Sequence, residues 1–304
     1  MAGRVLVTGA AGFIGSALCR TLLRSGHEVH GTSRIPREGA GVCWWEVDLA
    51  EPEAIAQVLR KVRPSVIFHL ASHVTGDRAL SAVLPTARDN LLSTINLLTA
   101  ACEAEGPRVI MAGSMEECDP EDPTAIPGSP YSAAKTAAST YARLFHALYL
   151  LPVVYLRVFM VYGPGQRDVT KLIPYVITAL LRGEQPLLTS GTREIDWIYV
   201  DDVVSAFVAA AHSPGADGKT VDVGSGRLIT IRSLVDRLSH LVGGEVQPVF
   251  GALDDRPLQV RRIADVDSTE RLIGWRPRTP LDAGLQQTIR WFAEREKVPW
   301  SSHA

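Results

Sequence analysis

The sequence predicts an α/β fold in which a doubly wound parallel sheet carries a smaller, discontinuous α/β cap. Three observations support this. Short β-rich runs alternate with helical stretches through the first half, the pattern of βαβ units. A glycine-rich turn, Thr8-Gly9-Ala10-Ala11-Gly12-Phe13-Ile14-Gly15, directly follows the first of those runs. The second half is less regular and is broken at Tyr162-Gly163-Pro164-Gly165.

In chain order, strands are expected at residues 5–8, 28–31, 44–47, 66–70, 109–112 and 153–159, with helices at 14–24, 52–61, 85–103 and 132–149. Ser25-Gly26 is a plausible stop for the first helix, because glycine adopts the left-handed conformation that ends helices. Further on, a helix at 172–181, a strand at 197–200, a helix at 203–211 and a strand at 220–223 are expected, the last three returning to the main sheet. Residues 1–162 with about 194–223 would form the cofactor domain, and about 163–193 with 224–304 the substrate cap. No repeat or low-complexity tract interrupts this plan.

Composition narrows the function. At 304 residues and 46% hydrophobic content the chain can bury a core without disulfide or metal staples. The 31 basic and 33 acidic side chains leave a formal charge of −2, which supplies no general field for nucleic acid or an anionic membrane. The four cysteines are widely separated and form no metal-ligand spacing, so no metal is expected and a reducing cytoplasm fits. No apolar stretch reaches the roughly 20 residues of a membrane span. The acidic run at 116–117 and 119–122 reads as a solvated loop, and Trp44 and Trp45 as strand residues.

The turn after the first strand points to a phosphate. Glycines let the backbone approach a pyrophosphate closely, and a helix N-terminus attracts its charge. Thr8, Gly9, Gly12, Phe13, Ile14 and Gly15 are therefore candidate cofactor contacts in a Rossmann-type domain. After the second strand stands Gly31-Thr32-Ser33-Arg34, where an acidic residue would repel a 2′-phosphate. The Ser33 hydroxyl and Arg34 guanidinium instead suit one, so NADP(H) is expected over NAD(H).

Tyr131 and Lys135 are four residues apart on an expected helix and face the same way, so an ammonium near the phenol should favour the phenolate. Such a tyrosine can take a hydroxyl proton as hydride leaves and return it in reduction. Ser114, just past the fifth strand, is placed to hydrogen-bond the same oxygen.

With its Gly-x-x-Gly-x-x-Gly spacing, the chain resembles the extended short-chain dehydrogenase/reductase superfamily over its full length. The matching segments include Asp48-Leu49, His69-Leu70-Ala71, Asn90-Leu91-Leu92-Ser93-Thr94, Tyr131-Ser132-Ala133-Ala134-Lys135, Asp196-Trp197-Ile198-Tyr199-Val200-Asp201-Asp202 and Gly274-Trp275-Arg276-Pro277. The resemblance implies that Asp48 and Leu49 flank the adenine, that Leu70 and Ala71 line the cofactor, and that Lys135 also contacts the nicotinamide ribose. It places Asn90 as a support of the helix after the fourth strand. It also implies a nucleoside-diphosphate sugar as substrate, C4 as the reacting carbon, and a homodimer through a four-helix bundle of the helices at 85–103 and 132–149.

Several positions depart from that pattern. Met115 stands where some 4,6-dehydratases place an acid, and Glu116 where dehydratases and decarboxylases keep a catalytic glutamate, a polar pocket liner being the alternative. Met160 replaces the expected substrate-binding asparagine, Arg193 lies two positions before the usual arginine, and Arg256 is in register. Lys171 and Leu172 belong to a Lys-Leu-Ile-Pro segment that passes over the nucleotide in sugar-modifying members. His73 could reach the substrate, although a solvent-facing role is the simpler reading. The expected outcome is reduction of a 4-keto sugar with NADPH. Epimerisation or 4,6-dehydration with recycled cofactor, a reductase of a non-nucleotide carbonyl, and a non-catalytic cofactor sensor are the alternatives.

Overall fold

The computed structural model describes residues 3–104, 106–119, 122, 124–243 and 246–300, so part of the acidic 119–122 run lies outside the described residues. In chain order the strands and helices are β1 (Arg4–Thr8), α1 (Phe13–Arg24), β2 (Glu28–Ser33), β3 (Cys43–Glu46), α2 (Pro52–Val62), β4 (Val66–His69), α3 (Val83–Ala87), α4 (Ser93–Glu103), β5 (Arg108–Ala112), α5 (Pro130–Tyr149) and β6 (Val153–Val158). They continue with β7 (Met160–Tyr162), α6 (Leu172–Leu181), β8 (Leu187–Leu188), β9 (Glu194–Tyr199), α7 (Val200–Ala211), β10 (Thr220–Val223), β11 (Leu228–Thr230), α8 (Ile231–Val242), β12 (Val249–Phe250), α9 (Val266–Ile273) and α10 (Leu281–Glu296).

The chain divides into two compact units. The first holds the chain up to Val158, Val204–Val223 and Asp267–Trp275. Its seven strands run in the order β10-β6-β5-β4-β1-β2-β3, and every pairing is parallel. Strands covered on both faces need apolar side chains at successive positions. Val5-Leu6-Val7, Val109-Ile110-Met111 and Val153-Val154-Tyr155-Leu156 are all buried accordingly. Strand order reverses between β1 and β4, which is where open α/β sheets bind ligands at their carboxyl ends. Thr8 and His69 are paired across that point.

The helix expected at 85–103 is interrupted. A π turn at Arg88–Leu92 separates α3 from α4. Ser93 Oγ donates to the Asp89 carbonyl at 2.6 Å and Thr94 Oγ1 to the Asn90 carbonyl at 2.7 Å, so side chains compete for the helical backbone there.

The second unit comprises Phe159–Val203, Gly224–Val266 and the chain from Arg276. It contains a three-stranded sheet, β11-β9-β7, and a two-stranded one, β12-β8. The strand expected to return to the main sheet is β9, and it does not. It pairs in parallel with β7 and antiparallel with β11. The chain leaves β6 at Phe159, and the three residues of β7 supply a separate edge for β9. Buried Asp196 fastens β9 to the loop after β10 and to the segment before α9, accepting from Ser225 N (2.7 Å), Gly226 N (2.9 Å) and Ala264 N (3.1 Å).

Candidate functional site

The β1–α1 turn is shaped by its glycines. Gly9 has φ +68°, and a Cβ there would lie 2.7 Å from the Ala71 nitrogen. A Cβ on Gly15 would come within 2.1 Å of the Gly9 oxygen. Helix α1 begins after Gly12 with no side chain capping its first N–H groups and no acidic residue in its first turn. Ala11 and Gly12 are exposed. Unpaired donors, a positive helix end and an open approach fit the pyrophosphate of a dinucleotide.

The turn is tied to β4 by a chain of buried hydrogen bonds. Thr94 gives its proton to the Asn90 carbonyl, so His69 Nε2, 3.0 Å from Thr94 Oγ1, is the donor of that pair. His69 Nδ1 then accepts from Thr8 Oγ1 at 2.8 Å, and Thr8 Oγ1 accepts from Ala71 N at 3.2 Å. Burial holds the imidazole neutral, lowering its pKa to about 3, and the Lys135 charge adds to this. Asn90 continues the tie beyond β4: its Oδ1 accepts from Ser72 Oγ (2.9 Å) and His73 N (2.6 Å), and its Nδ2 donates to the His73 carbonyl (3.1 Å).

Ser114, Tyr131 and Lys135 are all buried in this first unit. Ser129 caps α5, accepting from Ser132 N at 3.1 Å, and this sets Tyr131 and Lys135 in the first turns of the helix. Lys135 Nζ lies 6.0 Å from the centre of the Tyr131 ring and donates to the Ala112 carbonyl at 2.9 Å. Burial pushes the Tyr131 phenol above its ordinary range, while the Ser114 and Ser72 hydroxyls pull it down. This reverses the direction expected from the Tyr131/Lys135 spacing, because four-residue spacing conveys proximity and says nothing of desolvation. Lys135 is lowered by burial to about 8, against the opposing effect of Glu117. Ser72 belongs to no motif in the sequence; a hydroxyl just past a strand end, beside the glycine turn, is its only signal.

Of the remaining first-unit candidates, Ser33 and Arg34 stand at the end of β2. Ser33 Oγ accepts from Arg37 Nε at 3.3 Å, and exposed Arg34 pairs with Asp89 at 2.9 Å. Asp48 accepts from Arg88 at 2.7 Å, and buried Leu49 offers its carbonyl to Asn96 at 3.1 Å. Leu70 and Ala71 are half-buried beside Gly9. His73 is exposed, 3.8 Å from Asp89. Glu116 is half-buried and Met115 fully buried.

Met160, Lys171, Leu172, Arg193 and Arg256 belong to the second unit. Half-buried Met160 is opposite Trp197 in the β7–β9 pairing. Lys171 is the N-cap of α6 and Leu172 its first residue. Arg193 is half-buried just before β9, its carbonyl accepting from Ile231 N at 2.9 Å, and Arg256 is exposed.

One group among the described residues has metal-ligand donor types: Glu28, His30 and Cys43, with one donor atom from each within 4.8 Å of the others. The Trp45 indole donates to His30 Nδ1 at 3.0 Å, leaving the neutral ring's proton on Nε2, which faces Glu28 at 2.9 Å. A metal-bound histidine shows the opposite arrangement, its free nitrogen donating outward. The structure therefore favours a hydrogen-bonded pair beside a surface thiol. Among the described residues no helix is long and apolar enough to cross a membrane.

A Rossmann-type sheet with a glycine turn at its switch point, and a buried Ser-Tyr-Lys set in the same unit, define the class of pyridine-nucleotide oxidoreductases. The NAD dependent epimerase/dehydratase family matches residues 5–224, and the chain belongs to that family. It is 30% identical to a UDP-glucose 4-epimerase of Mycolicibacterium smegmatis, over 97% of this chain and 100% of the relative. It is 29% identical to a probable dTDP-glucose 4,6-dehydratase of Sinorhizobium fredii, over 96% and 93%. The solved structure of MoeE5 in complex with UDP-glucuronic acid and NAD superposes with a TM-score of 0.85 at 34% identity, covering 96% of this chain and 100% of MoeE5.

Proposed function

We infer that the protein transfers hydride at C4 of a nucleoside-diphosphate sugar and returns it to give the 4-epimer. What carries this reading is the shared burial of Ser114, Tyr131 and Lys135 in the unit that holds the glycine turn. Full-length similarity to UDP-sugar 4-epimerases supports it. When bound, the pyridine nucleotide supplies the hydride acceptor. The turn from Thr8 to Gly15 would hold its pyrophosphate, Asp48 and Leu49 its adenine, and Leu70 and Ala71 its nicotinamide side. Ser114 donates a hydrogen bond to the reacting oxygen, and Tyr131 exchanges the proton on it. Burial keeps Tyr131 protonated, the form needed when the hydride comes back to a 4-keto carbon. For the outward step the Ser114 and Ser72 hydroxyls, with the Lys135 ammonium 6.0 Å from the ring, work against burial to favour the phenolate.

Elimination is less well supported. The buried Met115 thioether cannot donate a proton, and Glu116 is assigned to the pocket lining. A second reading, net reduction of a 4-keto sugar by NADPH, is favoured by Ser33, Arg34 and Arg37 at the end of β2, where cations suit a 2′-phosphate.

The first unit is assigned to the cofactor and the second to substrate capture, with Arg193 and Arg256 for the diphosphate, Lys171 and Leu172 for the nucleotide and Met160 for the sugar. A second copy of the chain would cover Tyr141, Leu144, Leu148 and Tyr149, which α5 exposes. Light scattering at micromolar protein tests that dimer. The four free thiols suit a reducing cytoplasm. The function is tested by incubating the protein with UDP-glucose or UDP-glucuronic acid and either NAD or NADPH. A new 4-epimer with constant cofactor supports the first reading. Stoichiometric oxidation of NADPH with a 4-keto substrate supports the second. No nucleotide-sugar turnover under either condition overturns both.

A further inference from the structure

The doublet Glu116-Glu117 contains one carboxylate that the reaction reading above does not use. Glu117 is 2% exposed, far from the solvated loop residue its sequence setting suggests. One of its oxygens accepts from the Ser114 backbone N–H at 2.5 Å and from the Tyr155 hydroxyl at 2.8 Å. The other lies 3.9 Å from Arg157 Nε, and Arg157 in turn pairs with Asp222 at 3.0 Å. The single proton of the Tyr155 hydroxyl is shared with a second acceptor, the Lys135 carbonyl at 3.1 Å. One buried carboxylate thus joins the loop carrying Ser114 to the helix carrying Tyr131 and Lys135.

Gly113 makes room for the arrangement. A Cβ there would lie 2.2 Å from Tyr155 Cε1 and 2.8 Å from the Glu117 oxygen. Burying an ion is costly unless its lone pairs are met, and a partly met one is worse than an apolar side chain. The groups that act on Glu117 include Arg157 and Tyr155 from β6 and Lys135 and Tyr131 from α5, with Asp222 of β10 behind Arg157. Burial pushes the Glu117 carboxyl above its ordinary value, and the Ser114 N–H, the Tyr155 hydroxyl and the Arg157 and Lys135 charges oppose this by favouring the carboxylate.

Resting on the reading of Ser114, Tyr131 and Lys135 as the reacting set, we propose that Glu117 is a positioning residue that fixes Ser114 against α5 and supplies the negative charge facing the Lys135 ammonium. Its charge opposes the effect of burial on Lys135 and keeps that side chain protonated to higher pH. Its hydrogen bonds hold the spacing on which proton exchange depends.

The chain has only five lysines, so lysine labelled with carbon-13 and nitrogen-15 gives five side-chain signals, and Lys135→Met assigns the relevant one. In cofactor-free protein, Glu117→Gln should make the Lys135 signal titrate at lower pH than in the wild type. With UDP-glucuronic acid and NAD, its kcat should fall about tenfold and the alkaline limb of the pH profile should move to lower pH. Glu117→Asp, which keeps the charge at shorter reach, should restore the Lys135 titration but not kcat. Tyr155→Phe, which cuts the link to α5, should lower kcat and leave the titration in place.

If Glu117→Gln does not fold, the Asp and Phe variants decide the question. A Lys135 titration unchanged by Glu117→Gln, or equal kcat in all three variants and the wild type, overturns the proposal. Tyr131→Phe run alongside separates the two readings. Turnover surviving in that variant overturns the parent mechanism, whereas the lysine titration is read without turnover.

Discussion

Lys135 Nζ donates to the carbonyl oxygen of Ala112 at 2.9 Å, so the ammonium on α5 is anchored to the last residue of β5. Burial brings its pKa to about 8. Activity that needs the charged form is therefore full below that value and declines as pH rises through it. Measured as kcat against pH with saturating nucleotide sugar, the alkaline limb should lie near pH 8. Lys135→Met should lower kcat by at least about 100-fold at every pH.

His69 affects stability in the acid range. Its native pKa of about 3 lies below the unfolded value of 6.5, so between the two the unfolded chain binds more protons. Stability is complete above pH 6.5 and falls by up to about 1.4 kcal/mol for each pH unit below it. Urea unfolding at a series of pH values reads this directly. His69→Gln should be less stable at neutral pH, because Thr8 and Thr94 lose a matched partner, and its curve should be flatter in acid.

The glycine turn has no room for a methyl group. Gly15→Ala forces a Cβ to within 2.1 Å of the Gly9 carbonyl and should cost about 2–4 kcal/mol, lowering Tm and weakening NAD binding together. Calorimetric titration with NAD checks the second effect. Unchanged affinity in a folded Gly15→Ala variant would show that the cofactor does not use this turn.

Much of this was legible in the sequence, because parallel strands and amphipathic helices carry their own periodicity. The alternation over the first 158 residues anticipates β1 to β6 to within a few residues. The path of β9 was not legible, since a strand's partners depend on where its neighbours lie, and three residues of β7 redirect it. The π turn at Arg88–Leu92 is hidden in a continuous helical pattern and arises from Ser93 and Thr94 bonding back to the chain. Spacing brought Tyr131 and Lys135 together but could not reveal that burial dominates both pKa shifts. Within the acid doublet, Glu117 is the buried carboxylate because Gly113 and Tyr155 make space for it, a relationship formed only on folding.

In the second reading proposed for the protein, cofactor choice lies at the end of β2. Arg34 is paired with Asp89 and exposed, and Arg37 reaches Ser33. Arg34→Ala should reduce the NADP-to-NAD ratio of kcat/KM about tenfold, the equivalent of one charge-assisted contact. An unchanged ratio would remove Arg34 from cofactor selection.

Exchange of the substrate proton by Tyr131 is the central step of the proposed reaction. The direct measurement compares wild type and Tyr131→Phe for conversion of UDP-glucuronic acid to its 4-epimer by NMR, with NAD affinity measured on both. The predicted result is unchanged NAD affinity with turnover reduced by at least about 1000-fold, the upper part of the range for positioned acid–base groups. Epimer formation at the wild-type rate in Tyr131→Phe would contradict it.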